Sequence, residues 1–142
     1  MVITLLLFSV AVAEEWGISI TAIDAQGIGS GHTIQLGTCS DCSDGWQFGE
    51  DEYEPPPPLF EYTNIHFFHL DWYGQQDQNG NTCDQNTFTT DFRSIHPSYD
   101  LLSWGIRGST GGGLSSDIPL IFSWDSEALD SLSSDYELYL YI

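Results

Sequence analysis

One short segment places oxygen-bearing side chains at the spacing used by calcium-binding loops. The segment Asp77-x-Asn79-Gly80-Asn81-x-x-Asp84 alternates carboxylates and amides around a turn. A tight turn brings alternate side chains onto one hard cation, for which carboxylate and amide oxygens are suitable ligands. The match is partial, because Gly80 occupies the fourth position and no bidentate Glu ends the loop. Two interpretations stay open: a calcium site at Asp77, Asn79, Asn81 and Asp84, or an ordinary Asn-Gly hairpin turn, which we favour. We expect no other cofactor.

The three cysteines offer disulfide or metal chemistry. Cys39 and Cys42 form a C-x-x-C pair, and Cys83 stands alone. A zinc site would need the three thiols and one histidine, and no second close-spaced ligand pair accompanies the first. In a secreted protein a disulfide is the default. The sequence does not fix the pairing. A bond from Cys83 to Cys39 or Cys42 would staple two loops and leave one thiol that could bridge to another subunit.

Aromatic side chains near acidic ones suggest a sugar-binding surface. Trp46, Trp72 and Tyr73 could form a flat platform for stacking sugar rings, and packing in the core is the alternative role. Carboxylates beside tryptophans also occur in glycosidases, but among 21 acidic residues such neighbours arise by chance. No nucleophile-elbow pattern is present. We therefore expect no catalytic site.

The charge of the chain excludes several classes of partner. It has 142 residues with 21 Asp and Glu against 2 Lys and Arg, which gives a net charge of −19 at pH 7. Nucleic acids and anionic membrane surfaces are excluded because both need a cationic face. The two cations are Arg93 and Arg107, and Arg93 is expected to pair with Asp91 on the same strand face. Because 41% of the residues are apolar, one domain with a core is expected.

Alternation of apolar and polar residues predicts an all-β fold. About eight short strands in one domain indicate a single two-sheet antiparallel sandwich, immunoglobulin-like or jelly-roll-like. Trp16, Trp104 and Trp124 belong to alternating sets and are expected to pack in the core or on a sheet surface. The alternating sets are Trp16/Ile18/Ile20/Ala22, Ile34/Leu36, Leu102/Trp104/Ile106, Ile118/Leu120/Phe122/Trp124 and Tyr136/Leu138/Leu140/Ile142, with further candidates at 62–72 and 87–94.

A run of four prolines at 55–58 follows the acidic segment 50–54. Proline cannot donate a ladder hydrogen bond and favours the polyproline II conformation. The run is therefore predicted to be a stiff crossover between the two sheets. A proline-rich ligand for an aromatic groove is the alternative interpretation.

The N-terminal segment indicates the compartment. Residues 2–13 are apolar but too short to span a bilayer, which takes roughly 20 residues. Ala11 and Ala13 form an A-x-A site before Glu14, as in a secretory signal peptide, although no Lys or Arg precedes the apolar run. A retained segment would instead suit a strand. Both interpretations predict an extracellular or cell-surface protein, with residues 1–13 separate from a sandwich domain at 14–142.

Eight short motifs follow one another in a recognisable order. They are Trp16-Gly17-Ile18, Leu36-Gly37, Asp44-Gly45-Trp46, Gly49-Glu50-Asp51 leading into the prolines, Asp91-Phe92-Arg93, Trp104-Gly105-Ile106, Ser123-Trp124-Asp125 and Tyr136-Glu137-Leu138-Tyr139-Leu140. This order resembles β-sandwich modules that recur in secreted bacterial proteins, often near C-terminal sorting regions. The resemblance implies a non-catalytic module and assigns no functional residue. In such modules another strand or hairpin follows the Tyr-x-Leu-x-Leu element, so the resemblance implies a sandwich one strand short.

A sandwich that lacks a strand exposes a groove, which an apolar segment of a neighbouring copy could fill by strand addition. Such head-to-tail donation does not close on itself and generates a filament. The sequence thus predicts an extracellular, non-enzymatic structural subunit that self-assembles into a filament or surface layer. The alternative is a secreted carbohydrate-binding or adhesive module stabilised by calcium. The residues expected to carry assembly are Val2, Ile3, Leu5, Leu7, Leu138, Leu140 and Ile142.

Overall fold

The computed structural model describes residues 15–95, 102–125 and 127–128. Within these ranges the chain forms seven strands: β1 (Trp16–Asp24), β2 (His32–Cys39), β3 (Tyr62–Phe68), β4 (Thr87–Phe88), β5 (Thr90–Ser94), β6 (Ile106–Gly111) and β7 (Leu120–Trp124). The strand predicted at 136–142 and the apolar segment at 1–13 lie outside the described residues. No helix in the described part of the chain is long and apolar enough to cross a membrane.

The strands form two sheets, with the orders β5-β2-β1-β7 and β4-β3-β6. This confirms the predicted all-β, two-sheet architecture. The pairing of β2 with β5 is parallel, with Leu36 opposite Asp91, whereas a wholly antiparallel sandwich was predicted. Between β2 and β5 the chain forms β3 and β4 of the other sheet, so no hairpin joins β2 to β5. Their relative direction is therefore not fixed by a turn.

The chain changes sheets at Thr89. Phe88 belongs to β4 in the three-stranded sheet, and Thr90 already belongs to β5 in the four-stranded sheet. The backbone N–H of Thr89 donates to the carbonyl of Glu52 at 2.8 Å, so it is satisfied although it lies in neither sheet. The two layers are therefore joined by continuous backbone at this position.

The core lies between the sheets and follows the predicted alternation. In β1, Ile18, Ile20 and Ala22 point inward, and Ile20 is opposite Ile34 of β2. Burying one large aliphatic or aromatic side chain contributes about 1.5–3 kcal/mol. This face therefore accounts for much of the folding energy. The facing sheet supplies Ile65, Phe67 and Phe88, all fully buried.

The core also extends into the loops. Trp46 and Trp72 lie outside the strands but are buried in the same apolar cluster as the strand residues. The ring of Trp72 packs edge-on against Phe88 with a centroid distance of 5.1 Å. Trp16 and Trp104 are partly buried against the cluster, as predicted.

The two lateral sides of the sandwich differ. On one side, residues 50–54 run along β4 and β5: the N–H of Glu54 donates to Thr87 O at 3.1 Å, and the Thr90 hydroxyl donates to Glu50 O at 2.8 Å. We call residues 50–54 the acidic strap. On the other side lie β6 and β7, which among the described residues pair only with β3 and β1, respectively. The strap therefore covers one side, and the opposite side carries two edge strands.

Candidate functional site

The edge strands β6 and β7 belong to different sheets and approach each other at one point. A Cβ atom added at Gly108 of β6 would lie 3.0 Å from Cδ1 of Leu120 in β7. Beside this contact is a groove of about 300 Å³. We call this side of the sandwich the β6–β7 edge. The groove is lined by Gly108, Ser109, Thr110, Ser116, Ile118 and Leu120.

Strand β7 presents apolar side chains to solvent on both of its faces. Ile121 is 49% exposed, Phe122 is 37% exposed and Trp124 is 47% exposed. Successive residues of a strand point to opposite faces, so each face of β7 is only partly covered by the described residues. Trp124 was expected to pack in the core or on a sheet surface. It is nearly half exposed, because β7 lies at the edge of its sheet, so it is not part of the core.

An apolar edge strand is a template for pairing with another chain, because its outer N–H and C=O groups have no ladder partner. Inner pairing fixes the position of β7: Ile121 is opposite Ile23 of β1, and the N–H of Ala25 donates to Pro119 O at 2.9 Å. The inner edge of β7 is therefore paired with β1, and its outer edge faces away from that strand. This arrangement can accept an added strand and requires no catalytic group.

A buried polar cluster lies on the strap side. Asp91 is fully buried and accepts hydrogen bonds from His69 Nε2 at 2.8 Å and from Arg93 Nε at 3.0 Å. This confirms the predicted pairing of Asp91 with Arg93. Burial alone would raise the pKa of Asp91, but the hydrogen bonds from His69 and Arg93 outweigh it and hold the pKa below its ordinary value.

The cluster is closed off by aromatic rings. The His69 ring stacks on Trp72 with a centroid distance of 3.7 Å and an interplanar angle of 6°. The Arg93 guanidinium lies 4.9 Å from the centroid of the Trp104 ring, whose Nε1–H donates to Asp91 O at 3.1 Å. Both donors to the Asp91 carboxylate are thus fixed by packing. The cluster ties β5 to the loop that follows β3.

A second carboxylate is buried close to this cluster. Asp51, in the acidic strap, is only 4% exposed, and its Oδ2 accepts the N–H of Gln47 at 2.8 Å. Burial raises the pKa of Asp51 to about 7, and the nearby charges of Asp91 and Glu50 act in the same direction. The hydrogen bond from Gln47 only partly offsets this increase. Asp51 is therefore a group that titrates near neutral pH inside the fold, and the sequence pattern did not indicate it.

The residues of the candidate calcium loop form a turn stabilised by its own side chain. Asp77 Oδ1 accepts the backbone N–H of Asn79 at 2.9 Å and of Asn81 at 2.8 Å, and Asp77 Oδ2 accepts the Asn81 side-chain amide at 2.7 Å. Gly80 has φ of 84°, which suits the turn. Asp84 is exposed, and its N–H lies 3.4 Å from the Tyr53 hydroxyl. In the described ranges no group of three or more His, Cys, Asp or Glu is placed to hold a metal ion. Calcium binding by this loop stays a prediction.

The structure pairs the two closely spaced cysteines. Cys39 and Cys42 form a disulfide with their Cα atoms 5.2 Å apart, whereas Cys83 is buried, and its thiol donates to Gln85 O at 3.1 Å. The bond from Cys83 to Cys39 or Cys42 that the sequence allowed is therefore not formed, because Cys83 belongs to the core. Its burial also removes it as a bridge to another subunit. The three thiols do not meet as the zinc alternative requires.

The predicted sugar-stacking platform is not assembled. Trp46 and Trp72 are 3% and 2% exposed, and Trp46 stacks on Tyr53 with a centroid distance of 6.1 Å. Buried indoles offer no face to a sugar ring. Tyr73 is exposed, and so is Phe48, which the sequence analysis did not single out. The loops that carry these two rings are in contact, because Gln78 Nε2 donates to Gln47 Oε1 at 3.3 Å.

Comparison of the chain with protein families, curated proteins and solved structures gives no match. The residues predicted to carry assembly lie outside the described part of the chain; they are Val2, Ile3, Leu5, Leu7, Leu138, Leu140 and Ile142.

Proposed function

We propose that this protein is an extracellular, non-enzymatic structural subunit that self-assembles by strand addition at its β6–β7 edge. The observation that carries the proposal is β7, an edge strand with exposed apolar side chains on both faces. A neighbouring copy would add a strand there, and repetition would give a filament or a surface layer. The resemblance to non-catalytic modules of secreted bacterial proteins is in keeping with this role.

The energetics favour such a contact. Each backbone hydrogen bond gained at the edge contributes about 0.5–1.5 kcal/mol, and covering apolar surface adds about 25 cal/mol per Å². Ile121, Phe122 and Trp124 supply that surface. The proposed donor is the apolar segment 2–13, led by Val2, Ile3, Leu5 and Leu7. Because donor and acceptor are different surfaces, the contact is heterologous and can repeat without closing.

The strap supports a single acceptor edge for each molecule. Hydrogen bonds from Thr89 and Thr90 already engage the carbonyls of Glu52 and Glu50 on the other side of the sandwich. A strand arriving there would have to displace residues 50–54. Addition is therefore directed to β6 and β7, which favours a linear polymer over a branched one.

An extracellular setting is supported by the cysteines. The disulfide between Cys39 and Cys42 is of the kind that persists in oxidising compartments. The A-x-A site at Ala11 and Ala13 supports the same location. Whether residues 2–13 leave with the signal or remain as the donor decides between a monomeric and a polymeric mature protein.

The decisive experiment compares three proteins: the full chain, a variant that lacks residues 2–13, and a double variant with Phe122→Lys and Trp124→Lys on the acceptor strand. Light scattering and electron microscopy should show polymers for the full chain and monomers for both variants. Leu70→Lys, an exposed position in a loop, is the matched control and should assemble normally. Mass spectrometry of the exported protein identifies its first residue. Normal assembly of the deletion variant would refute donation by this segment.

A second candidate function has one observation in its favour. Phe48 and Tyr73 are both more than half exposed on loops that touch through Gln47 and Gln78. Exposed rings next to amides suit a carbohydrate-binding or adhesive module. Glycan binding by a monomer that is lost in Tyr73→Ala would support this candidate over the structural subunit.

A further inference from the structure

The residues that follow the acidic strap form an exposed apolar segment. Residues 55–60, with the sequence Pro-Pro-Pro-Pro-Leu-Phe, are all exposed. Leu59 is 100% exposed and Phe60 is 63% exposed. All peptide bonds in the described residues are trans, and consecutive trans prolines adopt the polyproline II conformation. We call residues 55–60 the polyproline span. None of its six side chains belongs to the buried core, so its apolar character needs another explanation.

The span is fixed at its first end by the neighbouring strands. The N–H of Glu54 donates to Thr87 O at 3.1 Å, which holds the chain against β4. The Glu54 side chain accepts a hydrogen bond from Asn64 Nδ2 and lies 3.4 Å from His66 Nδ1, both on β3. The residue before the first proline is therefore held by backbone and side chain alike.

The other end of the span is held between two turns. The carbonyl of Glu61 accepts the N–H of Ser30 at 3.1 Å. At Gly112, which has φ of 66°, an added Cβ would overlap the carbonyl of Phe60. The backbone of Phe60 is thus in close contact with the β6–β7 connection, while its ring faces solvent. With both ends fixed and four prolines between them, the span has little conformational freedom left to lose on binding.

We propose that the polyproline span is a ligand for a partner protein whose groove is lined by aromatic side chains and rimmed by Lys and Arg. Prolines present a ridge without N–H donors, which fits between stacked aromatic rings. Leu59 and Phe60 provide apolar anchors directly after the ridge.

The charges around the span favour a partner whose groove has Lys and Arg at its rim. Exposed Glu52 and Glu61 lie on either side of it, and the whole chain carries a net charge of −19. A basic rim would pair with these carboxylates, and the opposite charge of the two proteins would speed their encounter. A groove with an acidic rim would be repelled. The span contributes no residue to the groove at the β6–β7 edge, so this inference does not depend on the proposed assembly.

The test uses the full chain and two forms of one probe: a WW domain with a Lys- and Arg-rimmed groove, and the same domain with those rim residues changed to Glu. Fluorescence anisotropy of the labelled domain follows binding up to about 0.5 mM protein. The basic-rimmed domain should bind with saturation and weaken as salt is raised. The acidic-rimmed domain should not bind.

Variants locate the contact. Leu59→Ser with Phe60→Ser should weaken binding by about tenfold or more, since these are the exposed anchors. Leu70→Ser, at an equally exposed position elsewhere, should leave affinity within about twofold. Circular dichroism confirms that each variant is folded. Absence of saturation with the basic-rimmed domain, equal affinity for both rims, or an unchanged affinity in the double variant would each overturn the proposal.

Discussion

His69 Nε2 lies 2.8 Å from Asp91 Oδ2 in the interior of the sandwich, and the same carboxylate receives Arg93 from its own strand. One fully buried acid is therefore satisfied by two donors that come from different elements. A buried charge without partners is strongly unfavourable. Loss of any one of the three side chains should therefore destabilise the fold.

Replacing Asp91 with Ala should destabilise the protein by about 3–5 kcal/mol, because it leaves Arg93 and His69 without their acceptor. Urea unfolding at neutral pH measures this loss. Asp117→Ala, at an exposed position, is the control and should change stability by less than about 0.5 kcal/mol. Similar effects at the two positions would contradict a structural role for the buried cluster.

Stability should decrease as the pH rises from about 4 to 7, because of Asp51. The pKa of Asp51 is raised to about 7 in the folded protein, so the folded state binds more protons than the unfolded state over this interval. Each pKa unit corresponds to about 1.4 kcal/mol, which makes the full effect on the order of 4 kcal/mol. Asp51→Asn keeps the shape of the side chain and should remove this dependence. Unfolding free energies at pH 5 and pH 8 provide the measurement.

Asp91 acts in a separate pH interval. Its pKa is lowered, so its contribution is present above the ordinary carboxyl range and is lost as the pH falls below it. Asp51→Asn should therefore leave the acid limb of the stability profile unchanged. If the variant kept the slope between pH 5 and 8, another group would be responsible for it.

Trp72 and Trp124 should respond differently to truncation. Trp72→Ala removes a buried ring that contacts His69 and Phe88, with an expected cost of about 3–5 kcal/mol. Trp124→Ala removes a half-exposed ring at the edge and should cost about 1 kcal/mol or less while reducing assembly. Thermal unfolding and light scattering on both variants separate these effects. A severe loss of stability in Trp124→Ala would place that ring in the core instead.

Asp77→Ala should lower stability by about 1–3 kcal/mol, because the N–H groups of Asn79 and Asn81 lose their acceptor. We expect the same loss in EDTA and in millimolar calcium, as the turn is held by its own hydrogen bonds. A rise in melting temperature on adding calcium to the parent protein, absent in Asp77→Ala, would instead establish the cation site.

Assembly should depend on salt and pH. A net charge of −19 at pH 7 makes copies repel one another, and both screening and protonation of carboxylates weaken that repulsion. Polymer formation should therefore increase in high salt and near pH 4 to 5, as followed by light scattering. Assembly that is unchanged by salt, chelator and pH from 4 to 8 would refute this electrostatic argument.

The strands of the core could be predicted because their environment is regular. Ile18, Ile20 and Ala22 alternate with polar residues, and burial of one face of a sheet requires that pattern. The pairing of Asp91 with Arg93 could also be predicted, since a scarce cation two residues along a strand shares its face. Both the core strands and the Asp91–Arg93 pair follow from the two-residue period of a strand.

The remaining features depend on tertiary contacts that no local pattern encodes. Trp46 lies in a loop, and Trp72 lies beyond the end of β3, although the strand candidate extended to residue 72. Local alternation therefore did not separate a buried indole from an exposed one. The pairing of Cys39 with Cys42 leaves Cys83 in the core, which spacing alone did not decide. The raised pKa of Asp51 arises from its burial, which occurs only when the acidic strap packs against the rest of the fold.

The passage of the backbone between layers at Thr89 has a mechanical consequence. Since Phe88 and Thr90 are fixed in opposite sheets, sliding one layer over the other would stretch a main chain with no slack. The layers must then separate together with the loss of β4 and β5 rather than by gradual slippage. Unfolding under an applied force should accordingly be abrupt.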